Sequence, residues 1–172
     1  DRAMSEHPIA HLAAAEAAVR DGERVWIAER QESGSVIALL TESGTAPIAS
    51  LKAEISTMVW SEFEACLFAS DRAKGVIYRI TPAGEVRLFC RIARVSGEPR
   101  GLAVDSIGHV WAALYDGWGV MRLSRDGEID TMLALPVPRP TGLTFGGVDG
   151  RTLFITTARY GLSMDALTHA HD

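Results

Sequence analysis

Ser56, Arg100 and Thr141 stand at matching positions in successive periods of the chain. A guanidinium group is permanently charged and offers five N–H donors, and two hydroxyl groups can donate beside it. If the fold brings these side chains to one rim, they favour a small carboxylate or phosphate over a cation. The alternative is a rim of ordinary polar residues that holds no ligand.

The usual signatures of covalent or phosphate chemistry do not occur in the sequence. It contains no Gly-x-Ser-x-Gly elbow, no phosphate-binding loop and no paired-cysteine zinc motif. We therefore assign no nucleophile, and the catalytic residues stay unassigned. Glu32 lies in the run Arg30–Ser33, where the simple interpretation is a solvated acid on a hairpin.

The elements that must position these residues appear as a repeat. Trp26, Phe68, Trp111 and Phe154 recur at spacings of 42, 43 and 43 residues, each inside a short β-like run. A period of about 40 to 50 residues with several strands is typical of β-propeller blades. The pattern predicts an all-β, propeller-like fold of four-stranded antiparallel blades, with the four aromatic side chains buried between them.

Each of the first three periods continues with a glycine-led strand, a glycine-containing turn and a closing strand, as in Gly75–Ile80, Pro82–Gly84 and Glu85–Ile92. Glycine suits the turns because hairpins use positive φ angles that a side chain disfavours. We predict one incomplete propeller domain over residues 1–172, with about three and a half blades. The predicted blades are 8–51, 52–95, 96–138 and a partial one at 139–162, followed by a tail at 163–172.

The inner strands of the later blades should begin near residues 55, 99 and 140. The first period is the poorest match, because residues 11–19 are rich in alanine and would form a helix if judged by propensity alone. Phase with the other repeats favours a strand there. An incomplete ring leaves blade faces and sheet edges open, so we expect a homo-oligomer in which a second copy covers them.

Composition limits the partners of the chain. A net charge of −5 without a basic stripe gives no basis for nucleic-acid binding, and no apolar stretch approaches the ~20 residues that cross a bilayer. Cys66 and Cys90 fall on strands two steps apart, too far for a disulfide. Two buried, reduced thiols predict a cytoplasmic protein.

Specific motifs in the second half of the chain resemble a known family. They are Pro99–Trp111, Pro136–Gly147 and Arg151–Arg159, and the Pro-Arg-Pro-Thr run followed by Phe-Gly-Gly is the most specific of them. On these residues the chain resembles the gluconolactonase family, which includes senescence marker protein (regucalcin) and luciferin-regenerating enzyme. The resemblance implies a six-bladed propeller with a divalent cation, calcium or zinc, in its central tunnel. It also implies hydrolysis of a small lactone to a sugar acid, with the metal polarising the carbonyl.

The metal ligands of that family are replaced in this chain. The asparagine ligand falls at Ser56 and the aspartate ligand at Arg100, while the glutamate ligand belongs to a blade outside this sequence. Glu32 aligns with an acidic position that helps to line the family's pocket. We therefore assign no metal ligands, expect no tightly bound cation, and name Glu32, Ser56, Arg100 and Thr141 as candidate pocket residues. Two functions follow: a divergent lactonase, or a non-catalytic propeller remnant that binds a small anion or a protein.

Overall fold

A computed structural model of the chain describes residues 15–161, and within this range it consists of antiparallel sheets and one short 3-10 turn, Arg94–Ser96. The first sheet contains β1 (Ala15–Asp21), β2 (Arg24–Gln31), β3 (Gly34–Thr41) and β4 (Gly44–Leu51). The second contains β5 (Ile55–Ser61), β6 (Cys66–Asp71), β7 (Val76–Ile80) and β8 (Val86–Arg91). The third contains β9 (Glu98–Val104), β10 (Val110–Tyr115), β11 (Gly119–Leu123) and β12 (Ile129–Ala134). The fourth contains β13 (Pro140–Gly146) and β14 (Thr152–Thr157).

The predicted fold class is confirmed. Each strand pairs with the next one along the chain, so the first three sheets are up-and-down units of four strands and the fourth has two strands among the described residues. The inner strands begin at Ile55, Glu98 and Pro140, close to the expected positions. Ala15 to Val19 belong to β1, so this part of the alanine-rich segment is a strand. Residues 8–14 of the expected first blade and the expected tail at 163–172 lie outside the described residues.

The sheets pack face to face through their inner strands. β1 contacts β5, β5 contacts β9, and β9 contacts β13. One apolar cluster, which includes Trp26, Ile37 and Leu67, fills the space between the first and second sheets. A second cluster, which includes Phe68 and Leu114, fills the space between the second and third. Burial of these side chains is the main force that stacks the blades.

The predicted burial of the four repeated aromatic residues is only half right. Trp26 and Phe68 are fully buried, Trp111 is half-buried, and Phe154 is 53% exposed. The prediction is wrong for Phe154 because β14 pairs only with β13, and no further sheet covers that side among residues 15–161. Trp111 meets the edge of Phe145 from β13, with ring centroids 5.7 Å apart, but the two-stranded fourth sheet covers only part of the indole.

A carboxylate at or just after the end of the inner strand fixes the indole in two of the repeats. Asp21 accepts a hydrogen bond of 2.6 Å from Trp26 Nε1, and Asp105 accepts one of 3.0 Å from Trp111 Nε1. Asp105 also accepts the backbone N–H groups of Ile107 and His109, as expected for a structural turn residue. For Asp21, burial opposes ionisation, but hydrogen bonds from the side chains of Arg24 and Trp26 outweigh it and lower the pKa. These bonds tie each turn to the core aromatic residue that follows it.

Cys66 and Cys90 are buried and unpaired, which confirms the prediction of free thiols. Burial raises the pKa of both thiols, so they stay protonated at neutral pH. Residues 15–161 contain no helix with the length and apolar character needed to cross a bilayer.

Candidate functional site

The structure places Ser56, Arg100 and Thr141 near the starts of the inner strands β5, β9 and β13. Ser56 Oγ donates to the carbonyl of Ser70 at 3.3 Å, and Ser70 Oγ donates to the carbonyl of Pro99 at 3.0 Å. This relay brings the start of β5 beside the start of β9.

The start of β9 also meets the start of β13. A Cβ atom placed on Gly101 would lie 2.6 Å from Gly142 Cα and 2.9 Å from the carbonyl oxygen of Thr141, so the two backbones are in direct contact. Ser56, Arg100 and Thr141 therefore lie on the inner strands of three consecutive sheets, at one end of the blade stack. We call this end the inner rim.

Arg100 is the charged centre of the inner rim. Its guanidinium carbon lies 3.7 Å from the centroid of the Tyr115 ring, a close cation–π contact that orients the side chain. Its Nε atom lies 3.9 Å from Glu98 Oε2, too far for a hydrogen bond. Within the described part of the chain this buried Nε has no hydrogen-bond partner, although 32% of the side chain is exposed. Because Nε itself is buried, the exposed part of the side chain, and not Nε, is what a ligand could reach.

A second arginine approaches the same ring. The guanidinium carbon of Arg139 lies 5.1 Å from the centroid of Tyr115, and the side chain bonds to the carboxylate of Asp116 and the carbonyl of Tyr160. Asp116 adopts a positive φ of 59° in the turn after β10, a conformation that aspartate tolerates better than most residues. Arg139 is thus neutralised by Asp116, whereas Arg100 has no carboxylate within hydrogen-bond distance among residues 15–161.

Ser56 lines a cavity of about 240 Å³ together with Glu16, Arg30, Glu54 and Arg72. Arg30 lies between the two acids, with Nε 3.1 Å from Glu16 and a terminal nitrogen 3.6 Å from Glu54. The acids of this cavity are therefore already compensated by a cation.

The other two candidates differ in their surroundings. Thr141 Oγ1 forms a hydrogen bond of 3.0 Å with Thr156 Oγ1, so its hydroxyl has a partner across the β13–β14 pair. Glu32 is exposed in the tight turn between β2 and β3. The hydrogen bonds and backbone contacts that join the other three residues do not include Glu32.

The donor set of the inner rim does not fit a divalent cation. Among residues 15–161, no three His, Cys, Asp or Glu side chains come together in a group that could hold a metal ion. A guanidinium group has no lone pair to offer and repels a cation, and a hard cation needs several oxygen ligands. Arg100 is therefore an unfavourable neighbour for a cation at the inner rim.

Three contributors to this end of the stack were not identified from the sequence: Arg30, Arg72 and Tyr115. Each lies within one residue of the end of the second strand of its sheet. Because the second strand runs antiparallel to the inner strand, its end returns beside the start of the inner strand, as the pairing of Tyr115 with Glu98 shows. The ends of the predicted second strands could therefore have identified these three residues from the sequence.

Comparison with known proteins agrees with this architecture. Residues 17–159 match the model of the family described as "SMP-30/Gluconolactonase/LRE-like region". The chain is 39% identical over 116 residues to the 6-deoxy-6-sulfogluconolactonase of Pseudomonas putida, covering 64% of this chain and 40% of that protein. It is 40% identical over 89 residues to the L-arabinolactonase of Azospirillum brasilense, covering 50% of this chain and 29% of that protein.

A solved structure shows the same fold. A regucalcin from Agrobacterium tumefaciens, described as a calcium-binding protein, superposes with a TM-score of 0.70 at 22% identity, covering 84% of this chain and 53% of that one. The chain thus spans about half the length of the solved structure and two fifths or less of the two curated relatives.

Proposed function

Because the chain belongs to the SMP-30/gluconolactonase/LRE-like family, we propose that it binds a small sugar carboxylate at the inner rim. We further propose that a single chain does so without metal-dependent hydrolysis of a lactone. The observation that carries the proposal is the Arg100 guanidinium, which is oriented by Tyr115 and has no carboxylate within hydrogen-bond distance among the described residues.

The chemistry of the ligand follows from the donors. The guanidinium fork matches a carboxylate in two parallel hydrogen bonds, and such charge-assisted bonds are about twice as strong as neutral ones. The hydroxyl groups of Ser56 and Thr141, on the flanking strands, are polar partners for sugar hydroxyls. Both hydroxyls have protein partners in the structure, so they can also accept from a ligand.

The names of the relatives indicate the ligand class. One is a 6-deoxy-6-sulfogluconolactonase and the other an L-arabinolactonase, so both act on lactones of sugar acids. Opening a lactone ring yields a hydroxy acid with one carboxylate. A site that keeps the shape of a lactonase rim but carries an arginine in place of a metal ligand is suited to that open-chain acid.

The test of this proposal is calorimetric titration of the full chain with gluconate. We expect Arg100→Gln to weaken gluconate binding by at least about tenfold, which corresponds to ~1.4 kcal/mol. Arg91→Gln, which removes the same charge from the exposed end of the outer strand β8, is the matched control and should bind as the parent does. Equal affinities for the parent and Arg100→Gln would refute the proposal.

A second candidate function is lactone hydrolysis at a site that another polypeptide completes. It is favoured by the exposed Phe154 on β14. A second copy of the chain that covers β14 would bury this ring and supply further rim residues. Lactonase activity that appears only in an assembled oligomer with added Zn²⁺, Mn²⁺ or Ca²⁺ would favour this alternative.

A further inference from the structure

A second cavity of about 170 Å³ adjoins the cavity that Ser56 lines. Its walls are the turn that follows β6, from Arg72 to Gly75, and the segment from Ile92 to Glu98 that leads into β9. Arg72 belongs to the lining of both cavities. Glu98 lines the second one and lies 3.9 Å from Arg100, so this cavity lies beside the inner rim.

The charge of this cavity is positive in a chain whose net charge is −5. Its lining contains Arg72, Lys74 and Arg94 against a single acid, Glu98. Lys74 is already engaged, since its Nζ lies 2.7 Å from the carbonyl of Lys52 and 3.3 Å from the carboxylate of Asp71.

The two arginines are not engaged in this way. Within residues 15–161, neither Arg72 nor Arg94 has a carboxylate within 4 Å. Both are exposed, so each guanidinium can turn toward a ligand in the cavity. We call this cavity the Arg72–Arg94 pocket.

The backbone that carries the two arginines is held in place. Asp71 Oδ1 accepts the N–H of Lys74 at 3.0 Å, and the carbonyl of Gly75 accepts the N–H of Ile92 at 2.8 Å, which ties the two walls together.

The segment that carries Arg94 is also fixed against the third sheet. Gly97 has a φ of 102°, and a Cβ atom there would lie 2.8 Å from the carbonyl of Tyr115. The 3-10 turn that contains Arg94 therefore packs directly on the end of β10. The backbone of the pocket is therefore preformed, and binding has to order only the two arginine side chains.

We propose that the Arg72–Arg94 pocket takes a terminal phosphate or sulfonate group of a sugar acid whose carboxylate lies at Arg100. This inference rests on the proposed function and names the substrate class of the same site. Arginine forks match tetrahedral oxyanions, and the volume corresponds to about five or six water molecules, enough for one such group. Glu98 lies between the two ends and accepts hydrogen bonds from the sugar hydroxyls.

The experiment compares gluconate, 6-phosphogluconate and 6-deoxy-6-sulfogluconate by calorimetry on the full chain. We expect at least one of the two ligands with a terminal oxyanion to bind about tenfold or more tighter than gluconate, and the pair distinguishes a phosphate site from a sulfonate site. Arg72→Gln combined with Arg94→Gln should abolish this gain. Arg87→Gln combined with Arg91→Gln removes two exposed charges from β8 and is the matched control.

The results separate this inference from the proposed function. If Arg100→Gln weakens gluconate binding but the terminal oxyanion adds nothing in the parent, the pocket is refuted and the proposed function stands. A gain that persists in the Arg72/Arg94 variant also refutes the pocket. If gluconate does not bind but the phosphorylated or sulfonated acid does, and the Arg72/Arg94 variant loses it, the pocket stands and the carboxylate site at Arg100 is wrong.

Discussion

Replacing the positive charge of the inner rim with a negative one should create affinity for a divalent cation. The perturbation is Arg100→Asp together with Ser56→Asn, which places a carboxylate and an amide oxygen on the adjacent strands β9 and β5. Hard cations prefer such oxygen ligands. In the parent the same position carries a guanidinium whose nearest acid, Glu98, is 3.9 Å away.

The size of the effect follows from Coulomb's law. At an effective dielectric constant of ~20, unit charges ~4 Å apart interact by about 4 kcal/mol. Removing that repulsion corresponds to roughly three orders of magnitude in affinity for each unit of ionic charge. Because 32% of the Arg100 side chain is exposed, solvent and salt screen part of this interaction. We therefore expect about a thousandfold gain for a divalent ion rather than the square of that value.

The assay is calorimetric titration with Ca²⁺ and Zn²⁺ at low salt, with elemental analysis of the purified protein. Arg100→Asn together with Ser56→Asn is the control, since it removes the guanidinium without adding a negative charge, and it should gain less than the aspartate variant. Thermal melting of both variants checks that loss of the stacking on Tyr115 leaves the fold intact. A parent that already binds a stoichiometric cation as tightly as the aspartate variant would refute the reasoning.

Three further predictions concern stability and assembly. Asp21→Asn should lower the free energy of unfolding by about 1.5–3 kcal/mol, because the buried carboxylate bonds to Trp26 and Arg24. Since the folded pKa of Asp21 is lowered, its contribution to stability is present above about pH 4 and is lost as the pH falls further. In urea melts at a series of acid pH values, the unfolding free energy of Asp21→Asn should therefore fall less steeply with pH than that of the control Asp126→Asn. Gly101→Ala should lower the free energy of unfolding by about 1–3 kcal/mol, because the added Cβ would press on Gly142 and separate β9 from β13. An unchanged midpoint of urea unfolding would contradict the close contact. Light scattering at micromolar concentration should show a dimer or larger assembly, in which the interface buries more than ~1,000 Å². Phe154→Glu should shift the protein toward monomer, whereas Val95→Glu, the control at another exposed apolar residue, should not. A compact monomer in the parent would contradict the expected association.

The repeat made the fold predictable from sequence, and the starts of the inner strands follow from its phase. The burial of the aromatic residues did not follow. Trp26 and Phe154 occupy equivalent positions, but of these two only Trp26 has a sheet stacked over it among residues 15–161. Burial depends on what covers a strand, and the repeat pattern does not tell whether another sheet lies over that strand.

The candidate site was also predictable only in part. The phase of the repeat placed Ser56, Arg100 and Thr141 on adjacent inner strands. It did not predict the contact of Arg100 with Tyr115 or the position of Arg72, because these residues arrive from second strands whose ends meet the rim only after the sheets form. Side-chain partners across strands depend on the pairing register of the strands and on how neighbouring sheets stack, and the phase of a repeat describes neither.

The most direct test of the central claim is whether binding of a sugar acid requires a metal. Calorimetric titration of the full chain with gluconate in EDTA, repeated with added Ca²⁺ or Zn²⁺, measures this in one experiment. The anion site at Arg100 predicts the same dissociation constant in both conditions. Binding that appears only with the cation, together with hydrolysis of the corresponding lactone, would contradict it.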